Sequence, residues 1–204
     1  MAHISTDHIK FTQMFLSAAG YYTRGIDGIW GSGSEKAQQE FFNKTEEIKK
    51  IYICDPVSEK YIITLLPHTQ IMCRNFMKTV NSLLPDIKIK IISGLRTYAQ
   101  QQALYEQGRT KPGDRVTKAQ AGQSYHNFGI AWDVGIYTNN GVYDVKQKLY
   151  IEAAKAAKSK ISGMVWGGDW KSFSDDVGHY QVDLGRVDIA SLRKKFESGT
   201  LIVG

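Results

Sequence analysis

Apolar residues recur along this chain at two spacings, and the places where the spacing changes mark the elements. "DHIKFTQMFLSAAGYY" puts Phe11, Phe15 and Ala18 at helical intervals, with Gly20 as a natural stop. "GIDGIWGSG" follows, and its four glycines break any regular element. "SEKAQQEFF" resumes a helix, with Ala37 and Phe41 one turn apart and Ser32 or Ser34 available as cap. Between Asn43 and Lys60 the pattern lapses, and "CDPVSEK" reads as a linker. A helix is then predicted in "HTQIMCRNFMKTVNSLLP", where Met72, Phe76, Val80 and Leu83 repeat every three or four residues before Pro85. "IKIKIIS" alternates as a strand does, and "TYAQQQALYEQG" is helical up to Gly108.

"RTKPGDRVTKAQAGQ" is a long basic loop of the kind that often carries function. After it come strand-like "GIAWDVGIY", helical "YIEAAKAAKSK", short strands in "GMVWGG" and "HYQVDL", and a closing helix in "VDIASLRKKFESG". The expected class is α+β: a larger part at 61–204 with a small, mainly antiparallel sheet flanked by helices, a linker at 45–60, and a small all-helical part at 1–44. That first part is close to the lower size limit for independent folding.

Composition narrows the class without naming a partner. At 42% hydrophobic and 23% charged, the 204 residues have the balance of a globular protein, which sets aside disorder and fibrous repeats. No apolar run approaches the roughly 20 residues that cross a bilayer. "MAHISTDHIK" lacks an apolar core after a basic start, so synthesis in the cytoplasm without a classical export signal is expected. Cys54 and Cys73 show no CxxC spacing and are expected as free thiols. The net charge of +6 favours an anionic partner, and nucleic acid, anionic lipid and an anionic bacterial envelope all qualify.

The unusual stretch is "SYHNFGIAWDVG", where His126 and Asp133 stand in an otherwise apolar, strand-like run. On an ideal strand an odd separation sends two side chains to opposite faces. His126 and Asp133 therefore converge only if the chain turns between them, and "NFG" is the place for that turn. A metal site needs a third ligand. His3 and His8 lie in the N-terminal part and His68 begins a helix, whereas His179 stands in "SDDVGHYQV", immediately before a strand. Two neutral imidazoles and one carboxylate with an open fourth position suit a catalytic zinc. Asp176, three residues before His179, would serve as general base; Asp175 is its neighbour and rival.

These residues carry a family resemblance. "SYHNFGIAWD" resembles the SxHxxGxAxD motif of the zinc D-Ala-D-Ala carboxypeptidase and L-alanyl-D-glutamate peptidase superfamily, and "DVGH" resembles its acid-x-x-His element. "SGLRT" is similar to the segment bearing the family's arginine, and "QALYEQGRTKPG" and "WGGDWKSF" are similar to the L-alanyl-D-glutamate peptidase branch. The resemblance implies one zinc ion per chain held by His126, Asp133 and His179, Asp176 as catalytic base, and Arg96 at the oxyanion or substrate carbonyl. Gln123, Ser124 and Asp169 are candidates for substrate contact, with loop-stabilising and capping roles as the alternatives.

"AAGYYTRGIDGIWGSGSEKAQQEFF" in turn resembles the small helical peptidoglycan-binding module, though Phe42 stands where that family often has glutamine. Tyr22, Asp27 and Trp30 are its candidates for glycan contact, against a structural reading of Trp30 as core and Asp27 as turn former. Together the two resemblances imply an endolysin-like peptidoglycan endopeptidase cutting L-Ala from D-Glu. It would act on the bacterial cell wall as a monomer, without nucleic acid or stable membrane insertion. A D-Ala-D-Ala carboxypeptidase and a non-catalytic wall-binding protein are the rivals.

Overall fold

The computed structural model describes residues 5–137, 143–144, 147–170 and 176–202. In chain order it holds α1 (Thr6–Ala18), α2 (Ser32–Lys49), α3 (Pro56–Ile62) and α4 (Pro67–Leu83). Next come β1 (Lys88–Ser93), α5 (Tyr98–Glu106), β2 (Ala131–Tyr137), β3 (Tyr143–Asp144) and α6 (Gln147–Lys158). β4 (Met164–Trp166), β5 (His179–Val182) and α7 (Ile189–Glu197) complete the described elements. The fold is α+β, as the spacing pattern predicts. None of the described helices is long and apolar enough to cross a membrane.

The residues group into two compact units that do not follow the linear division at 44 and 61. One unit gathers 1–45, 96–129 and 186–204; the other gathers 46–95 and 130–185. The reason for the first grouping is an aromatic cluster. Phe11 of α1 lies 5.3 Å from Tyr98 and 5.5 Å from Phe196 between ring centroids, and Phe196 lies 5.3 Å from Phe128. An N-terminal segment of about 45 residues has little interior of its own, and here Phe196, fully buried on α7, supplies part of it. Within the segment, Phe15 packs edge-on against Phe41 of α2 at 5.2 Å. The glycine-rich turn closes on a buried amide: Gln13 Nε2 lies 2.9 Å from Asp27 Oδ1 and 3.1 Å from the Ile29 carbonyl oxygen, while its Oε1 accepts from Gly28 N at 2.9 Å.

The second unit is built on an antiparallel sheet of order β1-β2-β5-β4, with β3 also paired to β2. α3 packs on β1 and α4 on α6. Trp132 and Tyr180, neighbours across β2 and β5, stack at 5.9 Å with 12° between their planes, and Phe76 of α4 closes on both. Side chains alternate along a strand, so residues 133 and 179 face the other way. The aromatic layer fixes the back of the sheet, and its front is left for polar groups.

The span expected as a linker is largely helical. α2 continues to Lys49, burying Ile48, and α3 starts where the Asp55 carboxylate accepts from Val57 N at 3.1 Å and Ser58 N at 3.2 Å. Pro56 at the first helical position fits that start. Seven residues are too few for a visible apolar period, which is why the pattern lapses there. α3 is held by Glu59, whose carboxylate forms a two-pronged pair at 2.7 and 2.9 Å with the fully buried Arg74 of α4. The Cys54 and Cys73 thiols are free, and burial pushes Cys54 up to about 12 and Cys73 well above its ordinary value. Both shifts disfavour the thiolate, the nucleophilic form.

Removing one partner of a buried pair leaves an uncompensated charge, at a cost of about 3–5 kcal/mol. Glu59→Gln is expected to lower unfolding stability by that order at pH 7 in urea titration. Burial works against the Glu59 carboxylate, but the Arg74 hydrogen bonds prevail and hold its pKa below the ordinary value. Its contribution is therefore present at neutral pH and lost as pH falls through that lowered pKa, so the gap between variant and parent should close in acid.

Candidate metal centre

Each candidate ligand is placed by local chain geometry. Tyr125–Phe128 form a single 3-10 turn that ends at Gly129 with φ 67°, the left-handed conformation that glycine adopts without strain. This is the turn that the odd separation of His126 and Asp133 requires. Asn127, fully buried, holds it: its Oδ1 accepts from Gly122 N at 3.0 Å and Ser124 N at 3.4 Å, and its Nδ2 donates to the Arg96 carbonyl at 2.9 Å. Arg96 N donates in turn to the His126 carbonyl at 3.0 Å.

Asp133 and His179 are direct partners in the β2–β5 register. Directly opposed residues on an antiparallel pair share a face and bring their Cβ atoms to about 5 Å. The approach to His179 is pinned on both sides. Val134 N donates to the Gly178 carbonyl at 2.9 Å, and Trp166 Nε1 donates to the Val177 carbonyl at 2.8 Å. Gly167 lets this turn close, since a methyl group there would run into the Asp176 carbonyl oxygen.

The result is one cluster. Ligand atoms of His126, Asp133 and His179 all lie within 4.8 Å of one another, with both histidines buried and Asp133 half-buried. His179 Nδ1 faces Asp133 Oδ1 at 3.0 Å, while its Nε2 faces Gln181 Oε1 at 3.0 Å. Burial works against a charged imidazole here, but the hydrogen bond and charge of Asp133, together with Asp176, outweigh it and raise the His179 pKa. Two imidazoles and a carboxylate at this separation fit a divalent cation of the zinc type, and the group can hold a metal ion.

The other predicted residues fall in three groups. Asp176 is exposed at the mouth of the β5 turn, its carbonyl accepting from His179 N at 3.2 Å and its charge felt by the His179 ring. Its rival Asp175, like His3, lies outside the described residues. Arg96 is half-buried, and its Nη1 donates to Gln101 Oε1 at 3.0 Å. Gln123 is exposed and closes a turn with Gln120, while Ser124 takes part in the Asn127 turn. Asp169 pairs with Lys158 at 2.5 Å, a role neither expectation named. In the N-terminal segment Tyr22 is buried and its hydroxyl donates to the Gly25 carbonyl at 3.1 Å. Asp27 accepts from Ile29 N at 2.9 Å, which together with Gln13 holds its carboxyl below the ordinary pKa. Both act as turn formers; Trp30 is half-buried and Ile29 is 69% exposed beside it.

Sequence reasoning missed the amides. Asn127, Gln101 and Gln181 are buried and each anchors a candidate residue or its loop, Gln101 by also donating to the Ala119 carbonyl at 2.8 Å. Trp170, whose ring centre stands 5.1 Å from that of His179, is a further neighbour.

Part of the chain is similar to known proteins. Residues 117–182 match the family described as D-alanyl-D-alanine carboxypeptidase, a stretch that contains His126, Asp133, Asp176 and His179. The chain is also similar to the peptidoglycan L-alanyl-D-glutamate endopeptidase CwlK of Bacillus subtilis (strain 168), with 39% identity over 98 residues. That alignment covers 44% of this chain and 58% of the relative, so the chain spans less than two thirds of the relative's length. Among solved structures, the Serratia marcescens L-Ala D-Glu endopeptidase ChiX aligns with a TM-score of 0.49 and 22% identity, over 63% of this chain and 88% of that one.

Asn127→Ala would strip the partners from two backbone N–H groups and one carbonyl in a buried turn, each worth about 1–3 kcal/mol. The expected result is a clear fall in melting temperature, measured by circular dichroism, against a negligible change for Gln123→Ala on the exposed side of the same loop.

Proposed function

We propose that this protein is a zinc-dependent peptidoglycan endopeptidase that hydrolyses the L-Ala–D-Glu amide bond of stem peptides at the bacterial cell wall. The observation that carries the reading is the His126–Asp133–His179 cluster with Asp176 three residues ahead of its last member. The similarity to CwlK supports the substrate class. Zinc, when bound, supplies Lewis acidity toward the scissile carbonyl and acidifies the attacking water. Asp176, exposed and next to the cluster, accepts the proton of that water and returns it to the leaving amine. The Arg96 guanidinium pairs with the negative charge that develops on the carbonyl oxygen. Gln123 and Ser124 line the approach from the 3-10 turn, and Asp169 acts through its pair with Lys158.

In the N-terminal segment, the wall-binding role falls to Trp30 with the exposed Ile29, since Tyr22 and Asp27 are committed to the turn. The protein is proposed to be made in the cytoplasm and to act as a monomer at the wall, where the segment raises local substrate concentration. Trp30→Ala is expected to weaken co-sedimentation with purified cell walls several-fold while the chain stays folded by circular dichroism; equal sedimentation would remove the binding role.

A second reading, a D-Ala-D-Ala carboxypeptidase, is favoured by the description of the matching family. Digestion of purified peptidoglycan by zinc-loaded protein, read by mass spectrometry, separates the two. New amino termini on D-Glu are expected, reduced about 10²–10⁴-fold in Asp176→Ala as befits a general base. Free D-alanine would move the activity to the second reading, and no release at all would leave a wall-binding protein.

A further inference from the structure

Gln181 sits two residues beyond His179 on β5, so the two side chains project from the same face of the sheet. Across the strands Asp133 lies opposite His179, while Ala131 and Val165 lie opposite Gln181. The amide is buried at 6% exposure, and its flanking neighbours in the register are apolar. Its oxygen stands 3.0 Å from His179 Nε2, on the side of the ring away from Asp133.

An amide oxygen only accepts, so the facing nitrogen must carry the hydrogen. A neutral imidazole with its hydrogen on Nε2 has its lone pair on Nδ1, and the hydrogen that Nδ1 shares with Asp133 Oδ1 at 3.0 Å is the one a bound ion would displace. We propose that Gln181 is a positioning residue that holds His179 in the Nε2–H tautomer and so presents Nδ1, beside the Asp133 carboxylate, as the metal-binding atom. A partner on the non-ligating ring nitrogen also fixes the ring's rotation and raises its basicity toward the ion. The inference rests on the metal-centre reading given above. It adds a residue outside the three-ligand set and a choice of ring nitrogen. A mere space-filling role predicts that any side chain of the same shape would serve equally well.

The test uses the full chain, zinc alone as the probe, and two substitutions. Gln181→Met keeps length and removes the acceptor; Gln181→Glu keeps the acceptor. Zinc affinity, read by competition with a chelating dye, is expected to fall about 10–100-fold in Gln181→Met, and to return to the parent value or better in Gln181→Glu. Independently of any variant, long-range ¹⁵N–¹H spectra of the zinc-loaded parent should show a hydrogen on His179 Nε2 and the metal-induced shift on Nδ1. Equal zinc affinity in parent and Gln181→Met, or a parent spectrum with zinc on Nε2, overturns the role of Gln181 while leaving the metal centre standing. A parent chain that takes up no zinc overturns the metal centre and this inference with it.

Discussion

The register between β2 and β5 is the constraint on which the site depends. Asp133 opposite His179 places a carboxylate and an imidazole on one face of the sheet at hydrogen-bonding distance. A slip of either strand by one residue would turn its own polar residue, Asp133 or His179, into the aromatic layer and bring its Trp132 or Tyr180 to the front. The stacked rings behind the strands make such a slip costly, because fully buried Trp and Tyr side chains would be exposed to water. The hydrophobic layer thus acts as the alignment device for the polar one. Gln181, two positions along the same strand, completes the series on the front face.

The histidine on the other side of the cluster is set by a different device. His126 is not on a strand at all; a 3-10 turn locked by Asn127 and released at Gly129 delivers it seven residues before Asp133. The same turn is tied through the backbone to Arg96. One buried amide therefore governs the posture of a candidate ligand and of the loop bearing the candidate oxyanion cation.

Much of this was legible in the sequence for physical reasons, and some was not. His126 with Asp133, and Asp176 with His179, were readable as two pairs because short separations confine each pair and a metal-capable side chain in an apolar strand needs an explanation; 46 residues part Asp133 from His179, and joining the pairs rested on the few other histidines and on the family resemblance. The strands and the longer helices follow from their periods. α3 was hidden because seven residues show no period and its start depends on a capping carboxylate and a proline. The grouping of α1 with α7 was hidden because it rests on contacts such as Phe11 with Phe196, far apart along the chain, which no local pattern encodes. Asn127, Gln101 and Gln181 look like ordinary polar residues until the fold shows that they are buried and what each one holds. The structural roles of Tyr22 and Asp27 were weighed from the sequence, and the Gln13 network that enforces them emerged only in three dimensions.

Everything in the proposed chemistry requires His126, Asp133 and His179 to hold one metal ion together. X-ray absorption at the zinc edge of the loaded protein tests it most directly. One zinc per chain is expected, in an all nitrogen and oxygen shell at about 2.0–2.2 Å with the scattering signature of two imidazoles. A shell containing sulfur at about 2.3 Å, or one with fewer than two imidazoles, would contradict it.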